Sequence, residues 1–219
     1  MSNPRERILA RLSEAQTASP LPARFPVRRF DWDRADLLDR FEERIGLVRG
    51  EVHRVGGDWP AKVKSLLAER GAGNLLYGPG SETGEALLAG WPAGDGPRLV
   101  PYADPVEGFR AELFDRIDAG LTGCRGAIAE TGSLVLWPDT QEPRLLSMVP
   151  PIHLVLLDAG TVRSTLAEVI AEQGWTRGMP TNALLISGPS KSADIEQTLA
   201  YGVHGPKELI VLVRQLAEA

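Results

Sequence analysis

Ile-His-Leu-Val-Leu-Leu, at residues 152–157, is the stretch of sequence that decides the fold. It is apolar almost without interruption, and it lacks the alternation that a strand with one solvated face would have. Such a run is typical of a strand buried on both faces, as in parallel sheets covered on each side. We therefore predict that this stretch is a strand of a mostly parallel sheet and that the protein is of the α/β class.

Short strand-like segments alternate with helical segments on either side of this stretch. Strands are predicted at residues 51–55, 74–77, 98–102, 121–124, 133–137, 183–187 and 208–213. Helices are predicted at residues 58–70, 82–88, 108–119, 161–173 and 192–199. The alternation predicts a mostly parallel sheet with helices on both faces, and residues 133–143 are interpreted as an antiparallel hairpin insertion.

The first fifth of the chain has the pattern of a helical arm. Asn3 is a suitable N-cap, Pro4 fits the first helical position and Glu6 fits the third. A second helix is predicted at residues 33–46, because its apolar residues recur at helical spacing. We therefore divide the chain into an N-terminal helical extension, residues 1–50, packed on an α/β domain, residues 51–219.

Composition limits the class of protein and the kind of partner. Of the 219 residues, 43% are hydrophobic and 24% are charged, which is typical of a folded globular chain. The net charge of −5 and the lack of a basic stripe argue against nucleic acid or an anionic membrane as a partner. Neither a signal-peptide pattern nor a run of about 18 apolar residues occurs, so we expect a cytoplasmic protein without a transmembrane segment.

Cys124 is the only cysteine, and the three histidines lie far apart in the sequence. This number and spacing exclude a self-contained iron–sulfur cluster and argue against a zinc site built by this chain. The Gly-x-Gly-x-x-Gly fingerprint of dinucleotide-binding folds is missing, as is the Walker phosphate loop. We expect no metal site and no cofactor bound by this chain alone.

Two glycine-marked loops follow predicted strands. One lies at 77–84, after the strand at 74–77, and the other begins at the end of the strand at 183–187. In open parallel sheets, ligands bind beyond the carboxyl ends of strands, where loops meet helix N-termini. Hydroxyl groups, an ammonium group and the N–H groups of a helix start can together hold a phosphate or a carboxylate here. The candidate binding residues are Ser187, Gly188, Ser190, Lys191, Ser192 and Asp194. The alternative is that Ser192 only caps the next helix and Asp194 only complements its dipole.

A second candidate site precedes the predicted strand at 133–137. Glu130 can act as a general base or a nucleophile in a suitable pocket, beside the hydroxyl groups of Thr131 and Ser133 and next to Gly132. The alternative is an ordinary turn that leads into the strand, with Glu130 solvated.

Four other side chains have individual interpretations. His204 is flanked by turn-forming residues near the last strand, which favours a titrating role. Arg144 can clamp a carboxylate with two parallel hydrogen bonds, or it can be a surface arginine. His153 lies at the amino end of its strand, so we expect a hydrogen-bonded histidine at the edge of the core. Cys124 is expected to be a small buried apolar residue.

Four blocks of sequence together carry a resemblance to a known family. They are Ala-Glu-Thr-Gly-Ser at 129–133, Pro-Arg-Leu-Leu-Ser at 143–147 with Pro-Pro-Ile-His at 150–153, Ser-Gly-Pro-Ser-Lys-Ser-Ala-Asp-Ile-Glu at 187–196, and Gly-Val-His-Gly-Pro at 202–206. In this order and spacing they resemble the lactate-utilization (LUD) domain family, most closely its lactate utilization protein C branch. The resemblance extends from about residue 51 to the end of the chain, and the combination of blocks is specific.

The resemblance implies a fold like that of the NagB/RpiA/CoA-transferase superfamily. It also implies a component of a system that oxidises L-lactate to pyruvate together with two iron–sulfur partner proteins, which would carry the clusters. It strengthens several candidate site residues without fixing their roles, namely Glu130, Thr131, Gly132, Ser190, Asp194, Glu196 and His204. We take Glu130 and His204 as candidate catalytic residues and the remaining candidates as substrate-binding or anion-binding residues.

Two other functions are left open by the residues. The chain can be an independent enzyme of the CoA-transferase or sugar-phosphate-isomerase type, or a non-catalytic assembly or regulatory subunit. The missing dinucleotide motif and cysteine cluster argue against oxidation of lactate by this chain alone. The clustered serines, Lys191 and the Glu130 turn argue against a purely scaffolding role.

Overall fold

The computed structural model describes residues 3–17, 28–103, 105–193 and 199–215. The α-helices are α1 (Pro4–Thr17), α2 (Arg34–Gly46), α3 (Trp59–Glu69), α4 (Glu82–Gly90), α5 (Val106–Asp115), α6 (Arg144–Met148) and α7 (Leu166–Glu172). The strands are β1 (Gly50–Val55), β2 (Asn74–Tyr77), β3 (Arg98–Pro101), β4 (Ala119–Gly123), β5 (Gly126–Ile128), β6 (Ser133–Leu136), β7 (Ile152–Asp158), β8 (Val162–Arg163), β9 (Leu184–Ile186), β10 (Lys191–Ala193), β11 (Leu199–Tyr201) and β12 (Glu208–Arg214). Within these ranges, no helix has both the length and the apolar character needed to cross a membrane.

The main sheet has six strands in the order β1-β12-β7-β4-β2-β3, and every pairing in it is parallel. β7 lies in the middle, where Leu154 is opposite Leu121 of β4 and Ile210 of β12. The residues from Ile152 to Leu157 are all buried. The prediction of a strand buried on both faces, in a mostly parallel α/β sheet, is therefore confirmed, and the structure places this strand in the interior of the sheet.

Side chains of β7 alternate between two cores. On one face, Leu154 and Leu156 belong to a core that includes Leu66 and Leu67 of α3. On the other face, Val155 belongs to a core that includes residues of α2, β5 and β6. The β2 and β3 half of this second face is covered by α5 and α6. Both faces are thus covered, as predicted, although part of one face packs against strands rather than helices.

Those strands form a second sheet in the order β8-β5-β6-β9. β5 and β6 make an antiparallel hairpin, so a hairpin insertion is present, but it begins earlier than the predicted range of 133–143, and only β6 lies within that range. β9 pairs antiparallel with β6 and does not join the main sheet. The loop after β9 therefore does not stand at the carboxyl edge of the parallel sheet, where we expected it.

The predicted helix at 192–199 is wrong at both of its ends. β10 and β11 pair antiparallel instead, with Lys191 opposite Tyr201 and Ser192 opposite Ala200. The guanidinium carbon of Arg49 lies 4.5 Å from the centre of the Tyr201 ring, which ties the strand pair to the end of α2. Long-range contacts of this kind override the helical propensity of a short segment.

The two helices of the N-terminal extension pack differently. Leu38, Phe41 and Ile45 of α2 are buried in the core shared with the second sheet. The apolar residues of α1 are exposed instead, with Leu9 53% accessible. The expected packing on the domain is therefore observed for α2, whereas the apolar face of α1 is open to solvent.

Candidate functional site

A pocket of about 260 Å³ lies where the amino ends of β7 and β12 meet the loop after β9, and we call it the amino-edge pocket. Its lining residues are Ser147, Met148, His153, Leu184, Leu185, Ile186, Ser187, Gly188, Pro189, Ser190, His204, Gly205, Pro206 and Leu209. Most of these side chains are apolar, and a few polar groups converge among them, as in many small-molecule sites. The pocket unites three of the four sequence blocks that carried the family resemblance.

Backbone hydrogen bonds hold two of these blocks together. The N–H of Ser190 donates to the carbonyl of Pro206 over 2.8 Å, and the N–H of Gly202 donates to the carbonyl of Ser190 over 3.0 Å. Gly188 has φ +149° and lies against Val48, where a Cβ atom would come within 2.9 Å of a methyl group. Glycine is therefore required at this turn both by conformation and by space.

His153 is the second residue of β7, and it is 1% exposed. Its Nε2 atom lies 2.9 Å from Oγ1 of Thr122, whereas its Nδ1 atom has no hydrogen-bond partner among the described residues. Burial lowers the pKa of the imidazole to about 3, so the ring is neutral at physiological pH. The prediction of a hydrogen-bonded histidine at the core edge is confirmed, but its place in the pocket was missed.

A chain of hydroxyl groups links the Glu130 turn to the pocket. Oγ1 of Thr131 lies 2.7 Å from Oγ of Ser133, and Oγ of Ser133 lies 2.7 Å from Oγ of Ser187, which lines the pocket. Glu130 itself is not a lining residue and forms an ion pair with Arg28. The structure thus brings these segments together through Ser133, while the catalytic assignment of Glu130 stays a prediction.

Gly132 has a packing role in the same turn. Its φ is +67°, and a Cβ atom at this position would lie 2.6 Å from the backbone nitrogen of Ile45 in α2. This close approach fixes the hairpin between β5 and β6 against the end of α2.

The other predicted site residues lie in different places. His204 is exposed and lines the amino-edge pocket. Arg144 is exposed at the start of α6, and Lys191 and Ser192 lie on β10; none of the three is among the lining residues. Asp194 and Glu196 lie outside the described residues. Because no helix begins at Ser192, the part of the anion hypothesis that relied on a helix N-terminus is wrong.

A second concave region lies at the carboxyl ends of β4, β7 and β12, and we call it the carboxyl-edge groove. It consists of two adjoining cavities of about 240 and 250 Å³. Its lining residues are Ser81, Glu82, Thr83, Gly123, Cys124, Arg125, Trp137, Asp139, Gln141, Glu142, Leu156, Asp158, Thr161 and Arg214. The sequence indicated this region only through the glycine-marked loop at 77–84.

Glu142 lines one of the two cavities of this groove. Its two carboxylate oxygens accept hydrogen bonds of 3.2 and 3.0 Å from the backbone N–H of Gly123. Burial raises the pKa of Glu142, opposed by hydrogen bonds from Ser81, from the Gly123 backbone and from Thr83. Residues 139–142 form a turn in which Asp139 accepts hydrogen bonds from the backbone N–H groups of Gln141 and Glu142. The donors around Gly123 are therefore already used by a carboxylate of this chain.

Cys124 lies beside this carboxylate. Burial raises the pKa of its thiol to about 12, and the Sγ atom donates a hydrogen bond of 3.4 Å to the carbonyl of Leu156. The thiol is therefore protonated and weakly nucleophilic. Within the described ranges, no three His, Cys, Asp or Glu side chains are grouped so that they could hold a metal ion.

One family match covers the whole amino-edge pocket and all of the carboxyl-edge groove except Arg214. The model of the LUD domain matches residues 38–213. The chain is similar to an uncharacterized protein of Neisseria meningitidis, with 35% identity over 95% of this chain and 92% of that protein. It is also similar to lactate utilization protein C of Deinococcus radiodurans, with 31% identity over 92% of this chain and 88% of that protein. The crystal structure of a DUF162 family protein from Deinococcus radiodurans superposes with a TM-score of 0.61 and 26% identity, covering 84% of this chain and 99% of that one.

Proposed function

Since the chain belongs to the LUD domain family, we propose that it is a component of an L-lactate utilization system. In this proposal it acts in the oxidation of L-lactate to pyruvate together with two iron–sulfur partner proteins. The similarity to lactate utilization protein C along most of both chains supports this assignment.

The proposed division of labour follows from the electron balance of the reaction. Conversion of lactate to pyruvate releases two electrons and two protons, so an acceptor is needed. A [4Fe–4S] or [2Fe–2S] cluster is usually held by four cysteine thiolates, and this sequence contains one cysteine. The partner proteins therefore take the electrons, and this chain holds the small acid.

The observation that carries the proposal is the convergence of the family blocks on the amino-edge pocket. The hydroxyl group of Ser190 can donate to a carboxylate, and the apolar side chains of Met148 and Leu209 can contact a methyl group. The exposed His204 can offer a ring N–H to the carboxylate, and burial keeps the other lining histidine, His153, neutral. A pocket of about 260 Å³ is large enough for a three-carbon hydroxy acid.

The test is co-purification of the chain with the two iron–sulfur partners, followed by an assay of lactate-dependent reduction. We expect Ser190→Ala and His204→Gln to lower the rate at subsaturating lactate and to slow growth on lactate of a complemented deletion strain. His53→Gln is the matched control, because His53 lies on the edge strand β1 and is paired with Glu51.

Three outcomes separate the alternatives. Loss of activity in the pocket variants with intact complexes supports the proposal. Normal rates in both variants would place the acid elsewhere and favour an assembly or regulatory role. Failure to co-purify with either iron–sulfur protein would contradict the proposed complex.

The carboxyl-edge groove supports a second candidate function, that of an independent acid–base enzyme of the isomerase or CoA-transferase type. The observation in its favour is Glu142, a carboxyl group with a raised pKa in a concave site at the carboxyl edge of a parallel sheet. The isolated chain should then convert a sugar phosphate or an acyl-CoA, and Glu142→Gln should abolish this turnover. Inactivity of the isolated chain toward both classes would remove this candidate.

A further inference from the structure

The imidazole of His153 has one ring nitrogen paired and the other unpaired, although the residue is 1% exposed. A few other buried side-chain atoms in the described part of the chain also lack a partner, but only that of His153 borders the amino-edge pocket. Buried polar groups are almost always hydrogen-bonded, so an unpaired one calls for a partner that binds from outside the chain.

The pairing of the ring nitrogens indicates which atom is left for that partner. Nε2 lies against Thr122, which is not a lining residue of the pocket, whereas His153 is. Since Nε2 is taken by Thr122, Nδ1 is the ring nitrogen of this lining residue that is left for a ligand. Leu209 lies opposite His153 in the register of β12 and β7, and it contributes an apolar side chain to the pocket wall beside the histidine.

The position of the ring hydrogen follows from the needs of Thr122. Its side chain is 3% exposed, and among the described residues its hydroxyl group has no hydrogen-bond partner other than His153. If this hydroxyl only accepted a hydrogen bond, its own hydrogen would be buried and unpaired. Donation from Thr122 to Nε2 satisfies both groups and leaves the ring hydrogen on Nδ1.

We infer that His153 holds an Nδ1–H donor in the amino-edge pocket for the oxygen atom at C2 of a bound 2-oxo or 2-hydroxy acid. The inference rests on the proposed function in taking this pocket as the site of the acid. A neutral ring with hydrogen on Nδ1 donates and cannot accept a proton at that atom, so His153 positions and polarises the C2 oxygen and is not the base. The carboxylate of the acid then faces Ser190 and His204.

This arrangement sets a specificity that can be measured. A ligand without an oxygen atom at C2 leaves the buried Nδ1–H unpaired, which lowers its affinity because an unmatched buried donor is costly. We expect the full-length chain to bind pyruvate at least about ten-fold more tightly than propionate, which has the same carbon skeleton without that oxygen.

The test uses the purified chain with ¹⁵N-labelled histidine. We expect the unliganded protein to show a neutral His153 with its hydrogen on Nδ1, and pyruvate, but not propionate, to shift the Nδ1 resonance. His153→Asn keeps an amide N–H near the Nδ1 position and should retain the preference for pyruvate, whereas His153→Leu should lose it. The tautomer is read on the wild-type protein, so the test does not depend on the folding of a variant.

Each remaining outcome has a definite meaning. A hydrogen on Nε2 in the free protein overturns the inference. In a second outcome, pyruvate shifts the His204 resonances and leaves that of Nδ1 unchanged, as expected if a trapped water molecule pairs with His153. This result overturns the role of His153 but leaves the acid in the pocket. An absence of pyruvate binding overturns it together with the placement of the acid in this pocket, while the proposed complex with the iron–sulfur partners is judged separately by co-purification.

Discussion

Ser133 and Ser187 lie with their hydroxyl oxygens 2.7 Å apart although 54 residues separate them in the sequence. Ser133 begins β6 and is buried, whereas Ser187 follows β9 and lines the amino-edge pocket. The hydrogen bond therefore connects the Glu130 turn to the wall of the pocket. Residues in that turn can affect the pocket without touching a ligand.

Ser133→Ala should weaken this connection. The variant loses two short hydroxyl contacts, to Thr131 and to Ser187, and we expect a loss of about 1 kcal/mol in the free energy of unfolding. Urea denaturation measures this loss, and a titration with pyruvate should show weaker binding. Ser65→Ala on α3, where the hydroxyl group contacts only exposed Glu69, is the control and should behave like the wild type. An unchanged stability and affinity of Ser133→Ala would mean that the hydroxyl chain is incidental.

Gly132→Ala should destabilise the protein more strongly. The position has φ +67°, and the added Cβ atom would lie 2.6 Å from a backbone nitrogen of α2, which cannot move away cheaply. We expect a cost of about 2 kcal/mol or more, visible as a lower midpoint of thermal unfolding. Gly57→Ala is the matched control, since a Cβ atom there has no neighbour within 4 Å. Equal midpoints for the two variants would contradict the close packing of the turn on α2.

His153 should make the protein sensitive to acid. Its pKa is about 3 in the folded protein and about 6.5 when the ring is solvated, so the unfolded chain binds the extra proton between these values. The stabilising contribution is therefore complete above about pH 6.5 and is lost as the pH falls toward 3, with a slope of at most about 1.4 kcal/mol per pH unit. Urea denaturation from pH 4 to pH 8 measures this effect. The free energy of unfolding should fall less steeply toward low pH in His153→Asn than in the wild type. His53→Asn, on the edge strand β1, is the control and should lose stability toward low pH as steeply as the wild type.

The sequence predicted the elements that depend on local pattern and not those that depend on distant partners. Residues 152–157 were recognisable as a strand because both of its faces are buried, which makes the run almost entirely apolar. β9 was predicted as a strand, but nothing local indicates that it pairs with β6 in a second sheet. For the same reason the helix predicted at 192–199 was wrong, since β10 is held by its pairing with β11.

The sequence predicted several residues of the candidate site, but not how they are arranged in space. The four blocks predicted the relationship to lactate utilization protein C, which the comparisons confirm, and three of them meet at one pocket. The sequence puts His153 at the amino end of its strand, whereas ligands of parallel sheets are expected at the carboxyl edge, so position alone does not mark His153 as a pocket residue. Its membership of the Pro-Pro-Ile-His block was the signal that could have identified it. Glu142 could not be found this way, because its burial depends on the contact of residues 139–142 with β4 and α4.

Glu142→Gln provides a test of the carboxyl-edge groove through the pH dependence of stability. Burial raises the pKa of this carboxyl group in the folded protein above its ordinary value of 4.5. The folded state therefore keeps a proton that the unfolded chain releases, and its stabilising contribution is complete below pH 4.5 and declines as the pH rises through the folded pKa. Glutamine keeps an acceptor for the N–H of Gly123 but does not titrate.

The wild type should consequently lose stability relative to Glu142→Gln as the pH rises from about 4.5, and the difference should level off once the carboxyl group is ionised in both states. Urea denaturation of both proteins between pH 4 and pH 8 measures this difference. Glu85→Gln, on an exposed position of α4, is the control for the loss of one carboxylate without burial. The opposite result is a difference in the free energy of unfolding that stays constant over this range or grows in favour of the wild type. It would show that Glu142 is ionised in the groove, and the second candidate function would then lack its acid.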